Sequence, residues 1–171
     1  MPNATDDDAR FQATVEAQEL LREDDPDGAL RELRALLDAD PRNAYAHFYV
    51  GAAFAAKGQL GFACAAYEAA LTHAPTYLGA AVQRARTLYD LGRDEEALRA
   101  CRVALDVSPD GEDADALQVM ALTFARLGRR PEAIATLLRY LDRPHLDAED
   151  RFEAESLLKA LRGKLDLPAD A

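Results

Sequence analysis

The residues that most restrict the fold of this chain recur at a fixed interval. Pro41, Pro75 and Pro109 follow one another at a spacing of 34 residues, and the same spacing relates Gly58 to Gly92. This interval is too long for one helix or strand and indicates a repeated pair of secondary-structure elements. Because one such pair cannot bury its apolar side alone, neighbouring pairs must stack into an array with a continuous core.

Each unit is expected to be a pair of amphipathic helices. Between the glycine and the proline of residues 57–75, one helical face carries Ala63, Ala66, Tyr67 and Ala70. A fourth unit follows an insertion at residues 110–113, with Gly128 in the place of the earlier glycines. We predict nine helices, at residues 8–23, 26–39, 43–57, 60–74, 77–91, 94–107, 112–127, 131–142 and 147–162.

The chain ends differ from the repeated units. Asp147 is the predicted N-cap of the ninth helix and Gly163 its predicted stop. The apolar stripe and polar opposite face of this helix, 147–162, are typical of the cap that a terminal repeat needs. We expect residues 1–7 and 166–171 to be disordered, which leaves 8–165 as a single domain.

Within each unit, the residues resemble the pattern of the tetratricopeptide repeat family. That pattern has an aromatic residue, a Leu-Gly pair and a Tyr on the first helix, then an Ala, an aromatic residue and a Pro. Four units match it in register, at about residues 10–41, 42–75, 76–109 and 114–144. The best match consists of His47, Val50, Gly51, Phe54, Ala63, Tyr67 and Pro75. The resemblance implies an all-α, right-handed α-α superhelix of about four helix hairpins plus the C-terminal capping helix.

Small residues stand at matching positions on the two helices of every unit. They are Ala17, Gly51, Ala85 and Ala121 on the first helices, and Ala29, Ala63, Ala97 and Ala133 on the second. We expect them to let the two helices of a hairpin approach closely. Because glycine inside a helix costs about 1 kcal/mol relative to alanine, Gly51 is expected where even a methyl group would crowd its neighbours.

The composition is that of a folded, acidic chain. Apolar residues make up 49% of its 171 residues, and the formal net charge is −11. Phosphate groups attract clustered Lys and Arg, so this charge argues against a nucleic-acid partner or an anionic membrane surface. No apolar run approaches the roughly 18 residues of a membrane span. We therefore expect no nucleic acid and no membrane insertion.

Several features are typical of a cytoplasmic, bacterial protein. The start of the chain, MPNATDDDAR, has neither the basic region nor the apolar run of a secretory signal. Cys64 and Cys101 lie far apart on predicted helices, and we expect both to be reduced packing residues. The abundance of Ala, Arg, Asp and Leu is typical of a GC-rich bacterial genome.

No combination of residues indicates catalysis or metal binding. The sequence lacks G-x-S-x-G, phosphate-loop and G-x-G-x-x-G motifs. His47, His73 and His145 do not have the spacing of metal ligands. The acidic stretch 23–28 would need an acidic residue in the place of Arg34 to form a calcium-binding loop. We expect no catalytic residues, no metal and no cofactor.

The resemblance also implies where a partner would bind. First helices line the concave groove of tetratricopeptide arrays, and Arg86 would align an acidic or carbonyl group of the ligand there. Aromatic residues dominate binding hot spots, so those in the groove are expected to anchor the partner outside the hairpin core. The predicted groove residues are Tyr45, Phe48, Ala52, Val82, Arg86, Tyr89, Gln118, Leu122 and Arg126.

The sequence thus predicts a non-enzymatic module that binds a protein or peptide in its groove, as a scaffold or adaptor. The alternative is a small acidic tetratricopeptide chaperone of a bacterial secretion system, which masks apolar segments of its client. An enzyme or a nucleic-acid-binding repeat protein is less well supported. Two questions stay open: whether the chain forms a homo-oligomer, and whether its own N-terminus or a second protomer covers the groove aromatics.

Overall fold

The computed structural model describes residues 4–144 and 146–163, and helices are the regular secondary structure throughout these ranges. None of these helices combines the length and apolar character needed to cross a membrane. The helices are α1 (Ala4–Gln12), α2 (Val15–Arg22), α3 (Pro26–Ala39), α4 (Ala44–Ala56), α5 (Leu60–His73), α6 (Leu78–Asp90), α7 (Asp94–Val107), α8 (Ala114–Arg126), α9 (Arg130–Leu141) and α10 (Ala148–Gly163).

The helices form hairpins that stack in sequence order. The pairs α2/α3, α4/α5, α6/α7 and α8/α9 are the four hairpins, and α10 packs against α9. Each second helix also contacts the first helix of the next hairpin, and α6 contacts α8 directly. This neighbour-to-neighbour packing is a helical solenoid. The predicted all-α repeat fold is confirmed.

One backbone conformation makes the turn inside each hairpin. The residue that follows the turn donates its N–H to a carbonyl five residues earlier, as Arg93 does to Leu88 over 2.9 Å, which closes the last helical turn. Asp24 stands at this turn in the first hairpin, with a φ of 60°. In the other three hairpins the position needs a positive φ that glycine adopts readily: Gly58 (68°), Gly92 (71°) and Gly128 (71°).

The prediction for the start of the chain is wrong in two respects. Residues 4–7 were expected to be disordered, but α1 begins at Ala4; residues 1–3 lie outside the described residues, as does the predicted tail at 166–171. The single helix expected at 8–23 is broken at Thr14. Its N–H and its hydroxyl both donate to the carbonyl of Phe11, over 2.9 and 2.7 Å. This local bond to the preceding turn replaces the regular helical pattern.

Helix N-caps agree with the predicted boundaries. The Asp25 carboxylate accepts the N–H of Gly28 over 2.8 Å at the start of α3. The Asp147 carboxylate accepts the N–H of Asp150, also over 2.8 Å, so the predicted N-cap of the last helix is confirmed. Each bond satisfies a backbone donor that the first turn of a helix leaves free.

The small residues of the hairpins are buried as predicted. Ala29, Ala63, Ala97 and Ala133 are all 0% exposed. On α4, a Cβ placed at Gly51 would lie 2.5 Å from Cε1 of Tyr67. Tyr67 is itself 2% exposed and cannot easily move away. The close approach of α4 and α5 therefore requires glycine at residue 51.

Replacing Gly51 with alanine should test this contact. The better helix propensity of alanine favours the variant by about 1 kcal/mol, whereas overpacking a tight core costs about 1–3 kcal/mol. We expect Gly51→Ala to lower the urea midpoint. Gly61→Ala is the matched control on α5, because no atom lies within 4 Å of its added Cβ. An unchanged or raised midpoint for Gly51→Ala would contradict the contact.

The two cysteines are free and buried. Burial raises the pKa of the Cys101 thiol from its ordinary 9.0 to about 12. Burial also raises the pKa of the Tyr67 phenol to about 12. Each group therefore keeps its proton in the folded state at a pH where the unfolded chain would release it. The interpretation of both cysteines as packing residues agrees with these positions.

These shifts predict a loss of stability at alkaline pH. Because the folded state binds more protons than the unfolded state between about pH 9 and 12, the free energy of unfolding should fall as the pH rises through this window. Urea unfolding at about pH 8 and about pH 10.5 measures the loss. Between these two pH values, the free energy of unfolding of Cys101→Ala should fall by less than that of the wild type, whatever the absolute stability of the variant. Equal losses would show that the thiol does not contribute.

Candidate functional site

The predicted groove residues lie on one surface formed by three successive first helices. We call this surface the first-helix face. Val82 is the exception, because it is 5% exposed and belongs to the core; it is not available to a ligand. The other residues are half-buried or exposed: Tyr45, Phe48 and Ala52 on α4, Arg86 and Tyr89 on α6, and Gln118, Leu122 and Arg126 on α8.

The aromatic residues of α4 belong to a cluster of rings. The Tyr45 ring lies between those of Phe11 and Tyr77, with centroid distances of 5.5 and 5.3 Å. Phe48 contacts Tyr77 at 5.1 Å and the buried Tyr67 at 5.6 Å. Burial raises the pKa of Tyr77 well above its ordinary value. Phe48 therefore packs within the fold, which corrects the expectation that it lies outside the hairpin core.

Helix α1 covers one end of the first-helix face. Its Phe11 packs on Tyr45, and Arg10 Nε donates to Asp40 Oδ2 over 2.7 Å. The amide of Asn43 donates to the Arg10 carbonyl over 3.2 Å. The Arg10 guanidinium holds the pKa of Asp40 below its usual range. The chain's own N-terminal helix is thus one of the elements that shield the groove aromatics.

A cleft opens beside α1, between the starts of α4 and α6. Its volume is about 580 Å³, and its walls include Asp7, Arg42, Tyr45 and His73. The walls thus carry an acidic side chain, a basic side chain and the Tyr45 ring. It therefore extends the first-helix face past the part that α1 covers.

Arg86 joins two first helices. Its Nη2 donates to Oδ1 of Asp115 over 3.1 Å and approaches Oε1 of Gln118 at 3.5 Å. Asp115 and Gln118 both belong to α8. The guanidinium is therefore already paired with a carboxylate of this chain.

Arg126 makes a second link of this kind. Its guanidinium lies over the Tyr89 ring, 3.7 Å from the centroid, and donates to the Tyr89 carbonyl over 2.7 Å. Its Nε donates to Asp94 Oδ1 over 2.8 Å at the start of α7. Both arginines of the first-helix face thus connect neighbouring elements of the solenoid.

Apolar side chains stand on α4 and α8, on either side of α6. We call them together the apolar strip. Its members are Ala52, Ala55 and Ala56 on α4, with Leu122 and Ala125 on α8, and each is half-buried or exposed. On α6, Arg86, Tyr89 and Asp90 occupy the corresponding positions between them. The apolar strip is the part of the first-helix face best suited to contact the apolar side of a ligand.

The C-terminal end of the face has a pocket that the sequence analysis missed. Its volume is about 270 Å³, and α10 forms one wall of it. Burial and the nearby Asp150 carboxylate raise the pKa of Tyr140 to about 12. The sequence suggested a capping role for α10, since this helix lies outside the repeat register. The lining residues are Gln118, Leu122, Leu137, Tyr140, Asp150, Glu153, Ala154 and Leu157.

The polar groups considered for metal binding have other partners. Asp25 caps α3, and Asp27 accepts a bond from Lys57. The His47 ring stacks on His73 at a centroid distance of 5.3 Å. His145 lies outside the described residues. Across residues 4–144 and 146–163, no three His, Cys, Asp or Glu side chains are grouped so that they could hold a metal ion.

Comparisons with known proteins agree with this geometry. Residues 14–77 match the tetratricopeptide repeat family model. The structure of MamA from Desulfovibrio magneticus RS-1 covers 92% of this chain and 98% of its own, with a TM-score of 0.71 and 17% identity. A tetratricopeptide repeat protein from Parabacteroides merdae covers 92% of this chain and 62% of its own, with a TM-score of 0.76 and 22% identity.

No curated protein sequence is significantly similar to the chain. The family match spans α2 to α5, and the likeness to solved structures extends the same fold over nearly the whole chain. Residues 14–77 thus match tetratricopeptide repeats, and the chain has the fold of such arrays. The predicted groove residues stand on the first helices α4, α6 and α8 of this fold.

In this fold, Phe48 should be important for stability. A fully buried Phe costs about 3–5 kcal/mol when truncated to Ala, so the half-buried Phe48 should cost about 2–3 kcal/mol. Phe152→Ala is the matched control, because this ring is 70% exposed on α10; it should change stability by no more than about 0.5 kcal/mol. Urea unfolding compares the two variants. Equal effects would show that the aromatic cluster does not stabilise the fold.

Proposed function

We propose that this protein is a non-enzymatic module that binds an apolar segment of a partner protein on its first-helix face. The apolar strip is the observation that carries the proposal. Ala52 and Ala56 on α4 and Leu122 on α8 are half-buried or exposed apolar residues on a chain whose net charge is −11. An open apolar surface on a soluble repeat array is typical of a protein-binding site.

The charges around the strip favour apolar recognition. Arg86 is paired with Asp115, and Arg126 with Asp94. An acidic ligand group would have to share a guanidinium with one of these carboxylates. The proposed partner is therefore held mainly by its apolar side chains. That Arg86 aligns an acidic or carbonyl group of the ligand stays a prediction from the sequence.

The pocket at α10 extends the strip and adds selectivity. Leu122 and Leu157 give it apolar walls, and Asp150 and Glu153 add carboxylates. Such a pocket suits an apolar stem that ends in a positive charge, as in Lys or Arg. We propose that the bound segment combines apolar residues with at least one basic side chain.

The secretion-chaperone alternative would use the same apolar strip for a client segment. An adaptor and a chaperone differ in the identity of the partner, which the experiment below reveals. Cytoplasmic location stays a prediction from the sequence. The tetratricopeptide fold supports a role in protein binding, and no catalytic residue is proposed.

A charged residue placed in the strip should block binding. The partner captured by the wild type from its native host is identified by mass spectrometry, and its Kd is measured for each variant. Introducing a carboxylate at an apolar contact should cost 2 kcal/mol or more, about thirtyfold in Kd, so we expect this loss for Ala52→Glu.

The matched control is Ala135→Glu, an exposed alanine in the middle of α9, a second helix. This variant should bind as the wild type does, and circular dichroism should show equal helix content for all three proteins. If Ala52→Glu retained the partner and Ala135→Glu lost it, the binding surface would be the second-helix side.

A further inference from the structure

Helix α1 lies on the solenoid without belonging to its core. The family match begins at residue 14, so α1 (Ala4–Gln12) precedes the matched repeats. Residues 6–12 are all half-buried or exposed, and none of them belongs to a cluster of core residues. Helices shorter than about 12 residues are marginal in water by themselves, and α1 has 9 residues. Its helical form therefore depends on the surface that it covers.

Two consecutive residues bind α1 to this surface. The Phe11 ring, which is 37% exposed, meets the Tyr45 ring edge-on at a centroid distance of 5.5 Å. Arg10 donates from Nε to Asp40, and its carbonyl accepts the Asn43 amide. A ring contact and an ion pair that are partly open to water are each weak. We therefore expect α1 to detach far more readily than the solenoid unfolds.

Detachment of α1 would uncover an aromatic surface. The Tyr45 ring lies between those of Phe11 and Tyr77, so removal of α1 opens one side of Tyr45. Asp7 and Arg10 belong to the walls of the adjoining cleft of about 580 Å³, which widens when they leave. The two tyrosines and the cleft then form one surface at the end of the first-helix face. Aromatic rings on such a surface are typical of binding hot spots.

The contacts of α1 define the chemistry of a second occupant. Tyr45 takes an aromatic ring, Asp40 takes a cation and the Asn43 amide takes a main-chain carbonyl. In α1, a basic residue and the aromatic residue directly after it supply all three groups. Because Asp40 loses the guanidinium of Arg10 when α1 leaves, charge complementarity favours a basic residue in the same place.

The cleft favours an acidic residue one turn earlier in the same segment. Asp7 stands three residues before Arg10 and shares the cleft with Arg42 and His73. Residues three apart lie on one side of a helix, and Asp7 and Arg10 are both half-buried. The segment that fits is therefore a helix with an acidic residue, two intervening residues and a basic–aromatic pair.

We propose that α1 is an autoinhibitory substitute for such a helix of a partner protein. The partner helix displaces α1 and places its basic–aromatic pair on Asp40 and Tyr45. Because α1 is tethered beside its own site, it competes at a high effective concentration and reduces the apparent affinity of the partner. The inference rests on the proposed function, since it concerns the same first-helix face, but its main tests use a probe of their own.

Hydrogen exchange of the full chain tests whether α1 opens separately. The amides of α1 should exchange at least about a hundredfold faster than those of α4 and α5. Phe11→Ala should make exchange in α1 faster still. Val15→Ala is the matched control, because this side chain is 39% exposed at the start of α2; it should leave exchange in α1 unchanged. Exchange in α1 as slow as in α4 would overturn the proposal.

A synthetic peptide of residues 4–14, ATDDDARFQAT, tests the uncovered surface. Its Kd for each full-length variant is measured by NMR titration, with the amides of Asn43 and Tyr77 as reporters. Because Phe11→Ala weakens the competing α1, this variant should bind the peptide at least about tenfold more tightly than the wild type. Tyr45→Ala, which removes the surface itself, should bind it more weakly than the wild type.

Opposite effects of Phe11→Ala and Tyr45→Ala are not expected of two rings that only stabilise the fold. Circular dichroism checks that both variants keep their helix content. Peptides that carry Arg10→Ala or Phe11→Ala leave the protein unaltered, and each should bind the Phe11→Ala protein at least about tenfold more weakly than the original peptide. A Phe11→Ala protein that binds the original peptide no more tightly than the wild type would overturn the proposal.

The peptide result does not depend on the apolar strip. Ala52→Glu should bind the peptide as the wild type does, even if that variant also keeps the captured partner and so contradicts the proposed function. Phe11→Ala should bind the captured partner at least about tenfold more tightly than the wild type. Equal Kd values of these two proteins for the partner would overturn autoinhibition and leave the proposed function in place.

Discussion

The close approach of two helices inside each hairpin is the contact on which the rest of this structure depends. Helices of this length are marginal in isolation, so their stability comes from packing. Ala63 and Ala97 are fully buried, and Gly51 leaves room for the Tyr67 ring. Because every hairpin packs through small residues at matching positions, every hairpin has a similar shape. Similar hairpins stack in register, and this register aligns α4, α6 and α8 into one continuous face.

Local signals predicted the helices well where the repeat is regular. The structure has α3 at Pro26–Ala39 and α7 at Asp94–Val107, which are the predicted ranges. The start of the chain was not predictable in this way. Its acidic, weakly apolar sequence favours disorder, and Arg10 orders it by contacting Asp40 thirty residues away. Such a contact has no local pattern, and the break at Thr14 depends on the bonds that its N–H and hydroxyl both donate to Phe11.

For the site as well, the sequence predicted what the repeat register determines and missed what contacts between side chains determine. Repeat register placed eight of the nine groove residues on an accessible face, because register fixes the side of a helix on which a residue lies. It could not show that Val82 is buried, or that Arg86 and Arg126 bind carboxylates of neighbouring helices. Those facts depend on side chains from other hairpins. The pocket at α10 was missed because that helix does not belong to a repeat.

Most residues of the apolar strip come from one hairpin of unusual composition. Between Ala44 and His73, the charged residues are Lys57 and Glu68. A helix that is apolar all round belongs in a protein interior, yet each helix of a solenoid has one side open to water. Helix α1 covers the start of α4, and a partner segment on the apolar strip would cover more of that helix. The second hairpin is therefore the part of this solenoid whose sequence is least suited to solvent and best suited to assembly.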